Sequence, residues 1–312
     1  MIGWSISDIA GVHMGDSHIT AARLFVKGKD MPVVTHAGWI PYDPSASEKD
    51  IAGILKTLWR SARMPTRLVC ASLRSSATVM RYFKVPLMAA AELESALMLQ
   101  AEEALQLDRG NVSVDWHIQE RVRGIPAEKH AMIEGVLYAA PAKDVERQLS
   151  IMAQAGLDPV IVDMRAMAVA NLYAMVMSGK EEETVCLVNL APHSADVIIL
   201  SKGGIYPYTV FCRASTWEES PAFLCENIRD VIKYGEFKLD WDHPRQVLLT
   251  GHAMVNSDFV AKVQEGITIP VAAWDPLQSL NLKSGRVKHM LDSDPDNAAM
   301  LVPSLGLAMR RG

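Results

Sequence analysis

Apolar and polar positions alternate in three runs near the start of the chain, around Ile9–Met14, Ile19–Val26 and Val33–Ile40, and this period of two predicts three strands. The period then changes. From Ser47 to Met64, Ile51, Ile54, Leu55 and Leu58 fall on one helical face, Ser47 and Asp50 form a capping-box pattern, and Pro65 stops the helix. RLVCAS (67–72) reads as a short buried strand, VMRYFKVP (79–86) as an alternating one, and residues 89–107 as an amphipathic helix. VSVDWHIQ and MIEGVLYAA are two more alternating strands. A helix follows that Pro141 opens and Gly156 closes, then the strand PVIVDM and the apolar helical run AMAVANLYAMVM.

After the charged hinge 179–183, the second half repeats the plan. TVCLVNL (184–190) leads through a turn into DVIILSKGGIYPYTVF, with a hairpin turn at Lys202–Gly204. A helix is expected over Trp217–Phe237, then QVLLT (246–250) as a strand, a helix at Ser257–Gly266, and a last helix from Asn297 to Arg310. VHMGDSH (12–18) and VNLAPHS (188–194) each sit at a strand end before a turn and a second strand. Two such units, separated by more than half the chain, predict two related lobes whose hairpin loops face each other across a cleft.

Composition narrows the class. With 312 residues the chain is long enough for two cores, and 49% hydrophobic with 21% charged residues is the balance of a globular protein. A net charge of −5 leaves no footprint for nucleic acid. No apolar run is long enough to span a bilayer, and the start lacks a secretory signal pattern, so a cytoplasmic location without membrane insertion is expected. Cys70, Cys186, Cys212 and Cys225 lie in apolar contexts without metal-type spacing and read as free thiols.

Seven short motifs in order carry a more specific likeness: GVHMGDSHITAARL; TVMRYFKVPLMAAAELESALMLQAEEALQL with VSVDWHIQ; YAAPAKDVERQLSIMAQAGLDPVIVDMRAMAVANLY; LVNLAPHSADVIILSKGGIYP; LLTGHAMVNS; IPVAAWDPLQSL; and PSLGLAMR. Together they resemble the type IV pilus assembly protein PilM family, within the actin-like ATPase superfamily and related to the cell-division protein FtsA. The resemblance implies an α/β, actin-like two-domain fold of duplicated ribonuclease-H-like domains with an inserted α+β subdomain. It places the first domain at residues 1–75 and 158–178, the insertion at 76–157, the second domain at 179–296, and a C-terminal helix at 297–312 returning to the first. It also implies a cytoplasmic scaffold peripheral to the inner membrane. Its partners would be the N-terminal tail of a PilN-like membrane protein, other pilus platform proteins and further copies of itself.

In that superfamily two hairpins cradle phosphates with backbone N–H groups, and carboxylates at strand ends position Mg²⁺ through water. The resemblance sets remnant nucleotide loops at Gly15, Asp16, Ser17, Asn189, Ser194 and Gly251. The three carboxylate positions fall on His13, Asn189 and Arg165, and Ala191-Pro192 and His252-Ala253 replace small, donor-bearing loop residues. Phosphoryl transfer depends on positioning and charge, so loss of hydrolysis is expected, with neither ATP nor Mg²⁺ as a working cofactor. An active ATPase whose lobes close on nucleotide and an FtsA-like filament protein are the two rival readings.

The resemblance puts the partner groove between the first domain and the insertion, near Arg74, Arg81, Tyr82 and Phe83. Alternation sets Arg81 and Phe83 on one face and Tyr82 and Lys84 on the other, so the four cannot all serve. His13, His18, His193 and His252 come from separate loops without ligand spacing, and no metal site is expected. Glu134 and Asp163 read as solvated or capping carboxylates, and Trp4, Trp39, Trp217 and Trp241 as core anchors.

Overall fold

The computed structural model describes residues 8–26, 31–73, 78–119, 132–177, 183–202, 204–212, 214, 216–252, 256–283 and 285–310. The chain opens with β1 (Ala10–Met14), β2 (His18–Phe25), β3 (Val33–Pro41), α1 (Glu48–Ser61) and β4 (Leu68–Leu73). An excursion follows through β5 (Val79–Pro86), α2 (Ala90–Leu105), β6 (Val112–Gln119) and β7 (Met132–Pro141). Then come α3 (Ala142–Ala155), β8 (Asp158–Met164) and α4 (Arg165–Val176). The second half holds β9 (Val185–Leu190), β10 (Ser194–Ser201), β11 (Gly204–Phe211), α5 (Pro221–Leu239), β12 (Val247–Gly251), α6 (Ser257–Gly266) and β13 (Val271–Ala273). β14 (Asn281–Leu282), α7 (Gly285–Ser293), α8 (Pro295–Ala299) and α9 (Val302–Leu307) complete it.

The local signals act as their chemistry requires. The Ser47 hydroxyl accepts from the Asp50 N–H at 3.2 Å and donates to the Asp50 carboxylate at 2.6 Å, closing the first turn of α1. Gly156 takes φ +78 and caps α3 in the left-handed region, where a side chain is disfavoured. The expected helix over Trp217–Phe237 is interrupted, because Pro221 cannot continue an upstream helix: residues 217–219 form a single 3-10 turn and α5 starts after it. The expected last helix is likewise two, α8 and α9, with Pro303 in the first turn of the second.

Two sheets share one plan. The first has the order β14-β3-β2-β1-β4-β8 and the second β11-β10-β9-β12-β13. In each, three antiparallel strands from two hairpins are joined by parallel strands on the far side of the opening strand. The opening strands β1 and β9 are buried along their whole length, as strands covered on both faces must be. The excursion forms a separate sheet, β5-β7-β6, backed by α2 through Phe83, Leu93, Leu97 and Leu137.

Packing places several segments more finely than the sequence does. α3 lies against α1, and its Ile151 and Met152 join Ile51, Leu55 and Leu58 in the core of the first sheet. β14 pairs with β3 through Leu282 and Val34, so the chain returns to the first sheet there, upstream of the expected residue 297. Nine of the twelve α4 residues are buried, because this helix fills the space between the two sheets. Its Met167 is therefore buried, while Met175 is half-buried. Gly306 lets α9 touch α4: a Cβ there would sit 1.9 Å from the Ala168 carbonyl oxygen. Among the described residues no helix is long and apolar enough to cross a membrane.

Candidate functional site

The two hairpin turns, the first turn of α4, the end of β12 and the α8–α9 corner converge on one cavity. Gly15, Asp16, Ser17, Asn189 and Gly251 all line it, together with His13, Thr20, Arg165, Ala191, Pro192, Met300 and Pro303. Ser194 stands behind Arg165, which donates to its hydroxyl at 3.0 Å. The cleft expected from the repeated hairpins thus exists, and it is nearly full. Its volume is about 30 Å³, the space of roughly one water, whereas small-molecule sites run to roughly 300–1,000 Å³.

Arg165 explains much of the filling. As the first residue of α4 it reaches β10, where Nε donates to Asp196 Oδ2 at 2.5 Å and Nη2 to Oδ1 at 3.0 Å. The pair is 3% and 0% exposed. Thr209 donates a further bond to Asp196 at 3.0 Å. Burial works against the Arg165 charge, but the Asp196 carboxylate, and behind it that of Asp16, hold its pKa above the ordinary value. A fixed cation therefore sits inside the cavity. Asp196 was not among the residues singled out from the sequence; only its distance from Arg165 in three dimensions makes it part of the site.

His13 is buried on β1, and its Nδ1 lies 2.7 Å from the Ser72 hydroxyl on β4. Desolvation, then the neighbouring Arg165 charge, push its pKa down to about 3, so the ring is neutral at physiological pH. Asp16 Oδ2 and His252 Nε2 are buried polar atoms without a hydrogen-bond partner among the described residues. His252 is also pushed below the ordinary value by burial. Gly251 ends β12 at φ +70, and a Cβ there would lie 2.2 Å from the Leu190 carbonyl oxygen, so the close approach of the two loops needs glycine. Ala253 lies outside the described residues. His193 is exposed and does not line the cavity, and no group of three metal-ligating side chains exists among the described residues.

The residues expected at the partner groove scatter. Arg74 lies outside the described residues. Phe83 is 3% exposed and packs on Leu93 and Leu97, a core position that no partner reaches. Tyr82, on the opposite face, donates its hydroxyl to Glu134, which also pairs with Lys84 at 2.6 Å. Arg81 is exposed. Between the first sheet and the insertion there is a groove of about 360 Å³, but its walls are Ser113–Asp115, Tyr138–Ala140, Ile161–Met164, Val145, Leu73 and Arg310. Asp163 sits in it, paired with Arg310 at 2.6 Å, so this carboxylate is neither solvated nor merely a cap. Trp217 and Trp241 are buried and Trp39 partly so; Trp4 lies outside the described residues. All four cysteines are free, three of them buried.

Comparison with known proteins agrees with the duplicated topology. The family model described as type IV pilus assembly protein PilM matches residues 23–216. A solved PilM–PilN type IV pilus biogenesis complex superposes with a TM-score of 0.77 at 17% identity, covering 97% of this chain and 98% of that one. The ethanolamine utilization protein EutJ from Carboxydothermus hydrogenoformans aligns with a TM-score of 0.51 at 11% identity, over 96% of this chain and 88% of its own. The architecture is the actin-like ATPase fold.

Proposed function

The chain belongs to the type IV pilus assembly protein PilM family, and from that premise we propose that it is a non-hydrolysing scaffold that grips the cytoplasmic tail of a PilN-like membrane protein. One observation carries the first half: Arg165, fixed by Asp196, lines a cleft of only about 30 Å³ where a metal–triphosphate would have to lie. The donor set does not suit Mg²⁺, which seeks oxygen ligands and retains water. A neutral imidazole, an uncharged carboxamide and a guanidinium stand at His13, Asn189 and Arg165. ATP would have to expel Arg165 from its carboxylate and open α8–α9, which close the cavity through Met300 and Pro303.

The second half is supported by the groove of about 360 Å³. It lies between β8, the outermost strand of the first sheet, and β6, the outermost strand of the inserted one. An extended peptide entering there meets the outer edges of β8 and β6 for backbone pairing and small apolar side chains at Val114, Ala140 and Val162. Asp115, exposed at its rim, suits a basic residue on the tail. Such a protein would sit in the cytoplasm at the inner membrane through its partner, touching other platform proteins and further copies of itself.

Two measurements test this. Calorimetric titration with ATP and Mg²⁺ is expected to give no binding at millimolar nucleotide; a micromolar Kd would instead make the chain an ATP-responsive protein. A labelled cytoplasmic tail of a PilN-like membrane protein should bind, and Ser113→Trp should abolish capture while Arg81→Glu leaves it intact. Capture that survives Ser113→Trp removes the groove from the proposal.

A further inference from the structure

Four of the seven tyrosines, Tyr82, Tyr206, Tyr208 and Tyr234, line a single groove with Phe211. Its volume is about 470 Å³. It lies on the other side of the inserted sheet from the tail groove, where β5, the free edge of that sheet, faces β11, the free edge of the second sheet. Aromatic residues make up only 6% of the chain, so five in one groove is a strong concentration. Tyr208, Phe211 and Tyr234 are 44%, 49% and 38% exposed, and Phe237, one turn beyond Tyr234 on α5, is 81% exposed. Contiguous exposed aromatic surface of this kind marks interaction sites.

Three of the rings are held in place before anything binds. Tyr206 and Tyr234 stack with centroids 4.7 Å apart and planes at 15°. Tyr82 meets Trp241 edge-on at 6.1 Å, and its hydroxyl is committed to Glu134. Rigid aromatic walls lower the ordering cost of association.

We propose that this groove docks an extended, proline-containing segment bearing an acidic residue. Polyproline segments are stiff before binding and lie in grooves lined by aromatic rings, so neither side loses much conformational freedom. Strand addition to β11 is disfavoured, because Pro207, opposite Ile198 in the ladder, supplies no N–H at that point of the edge. The charge of the occupant follows from Arg81. Among the described residues it is the one charged side chain lining the groove, it is exposed, and it forms no ion pair. This site is separate from the tail groove and does not rest on it.

The test uses the full chain and three labelled ten-residue peptides read by fluorescence anisotropy: prolines flanked by aspartate, prolines flanked by lysine, and a strand-forming Thr/Val repeat. The aspartate-flanked peptide should saturate. Tyr234→Ala and Phe211→Ala, both at exposed positions, should each weaken it about tenfold. Arg81→Glu should reverse the preference toward the lysine-flanked peptide. Sedimentation runs alongside. Absence of saturation at millimolar chain, unchanged affinity in both alanine variants, or preference for the Thr/Val repeat overturns the proposal. So does self-association that Phe211→Ala abolishes, since a second copy would then be the occupant.

Discussion

Asp196→Leu is the sharpest perturbation of the closed cleft. It leaves Arg165, 3% exposed, without the carboxylate that now meets it at 2.5 and 3.0 Å. Removing one member of a buried pair costs roughly 3–5 kcal/mol, because the other stays charged and dry. Arg165 keeps its 3.0 Å bond to Ser194 and the nearby Asp16 charge, which favours the lower part of that range. Unfolding entropy of about 2.1 cal/mol/K per residue gives ~0.65 kcal/mol/K for this length. The Tm should therefore fall by about 5–6 °C in calorimetry. Arg165→Met should cost a comparable amount by stranding Asp196, which is 0% exposed. The double variant, apolar on both sides, should be more stable than either single one, which requires a coupling energy of about 3 kcal/mol or more. If the two single losses simply add, the pair is not a unit and the cleft is not closed by it. A drop below about 1 °C in either single variant would sink the argument as well.

Other consequences follow from burial and close contact. Because His13 titrates near 3 in the folded chain against 6.5 ordinarily, the unfolded chain takes up its proton first as the pH falls. Its contribution is complete above pH 6.5 and drains away between 6.5 and 3. At about 1.4 kcal/mol per unit, urea unfolding at pH 4.5 should show wild type losing about 3 kcal/mol more than His13→Gln relative to neutral pH; parallel curves would refute this. Gly306→Ala should loosen α9 from α4 by about 3 kcal/mol or more, since its Cβ meets the Ala168 carbonyl at 1.9 Å. Limited proteolysis near the C-terminal helices reads that out. Gly53→Ala, on the exposed face of α1 with nothing within 4 Å, is the control; it should stabilise by about 0.5–1 kcal/mol, and equal effects from the two substitutions would remove the packing explanation.

Much of the fold was legible along the chain because each element carries its own signal. Alternation marks the strands of both hairpins, Ser47 and Asp50 mark the start of α1, and Gly156 ends α3 through its own backbone freedom. The second half was less clear. Pro221 and Pro303 break expected helices, and β13 and β14, of three and two residues, are too short to show a period. The candidate cleft was half legible. His13, Asn189 and Arg165 stand out as unlike the carboxylates the loops would need, yet no sequence pattern joins Arg165 at the start of α4 to Asp196, 31 residues away on β10. Phe83 shows the opposite failure: strand alternation places it on a face but does not say which face α2 will cover.

The linear sequence, then, determined the elements, the duplicated plan and the chemical identity of the groups brought to the cleft, since these depend on residues within a few turns of one another. Only the tertiary structure decided which of those groups meet. The fold strips water from Arg165 and Asp196 together, keeps His13 neutral, and brings Tyr82 beside tyrosines more than 120 positions downstream. Desolvation and pairing are properties of the packed interior, where a charge is stable only beside its partner, and no local pattern of side chains carries that information.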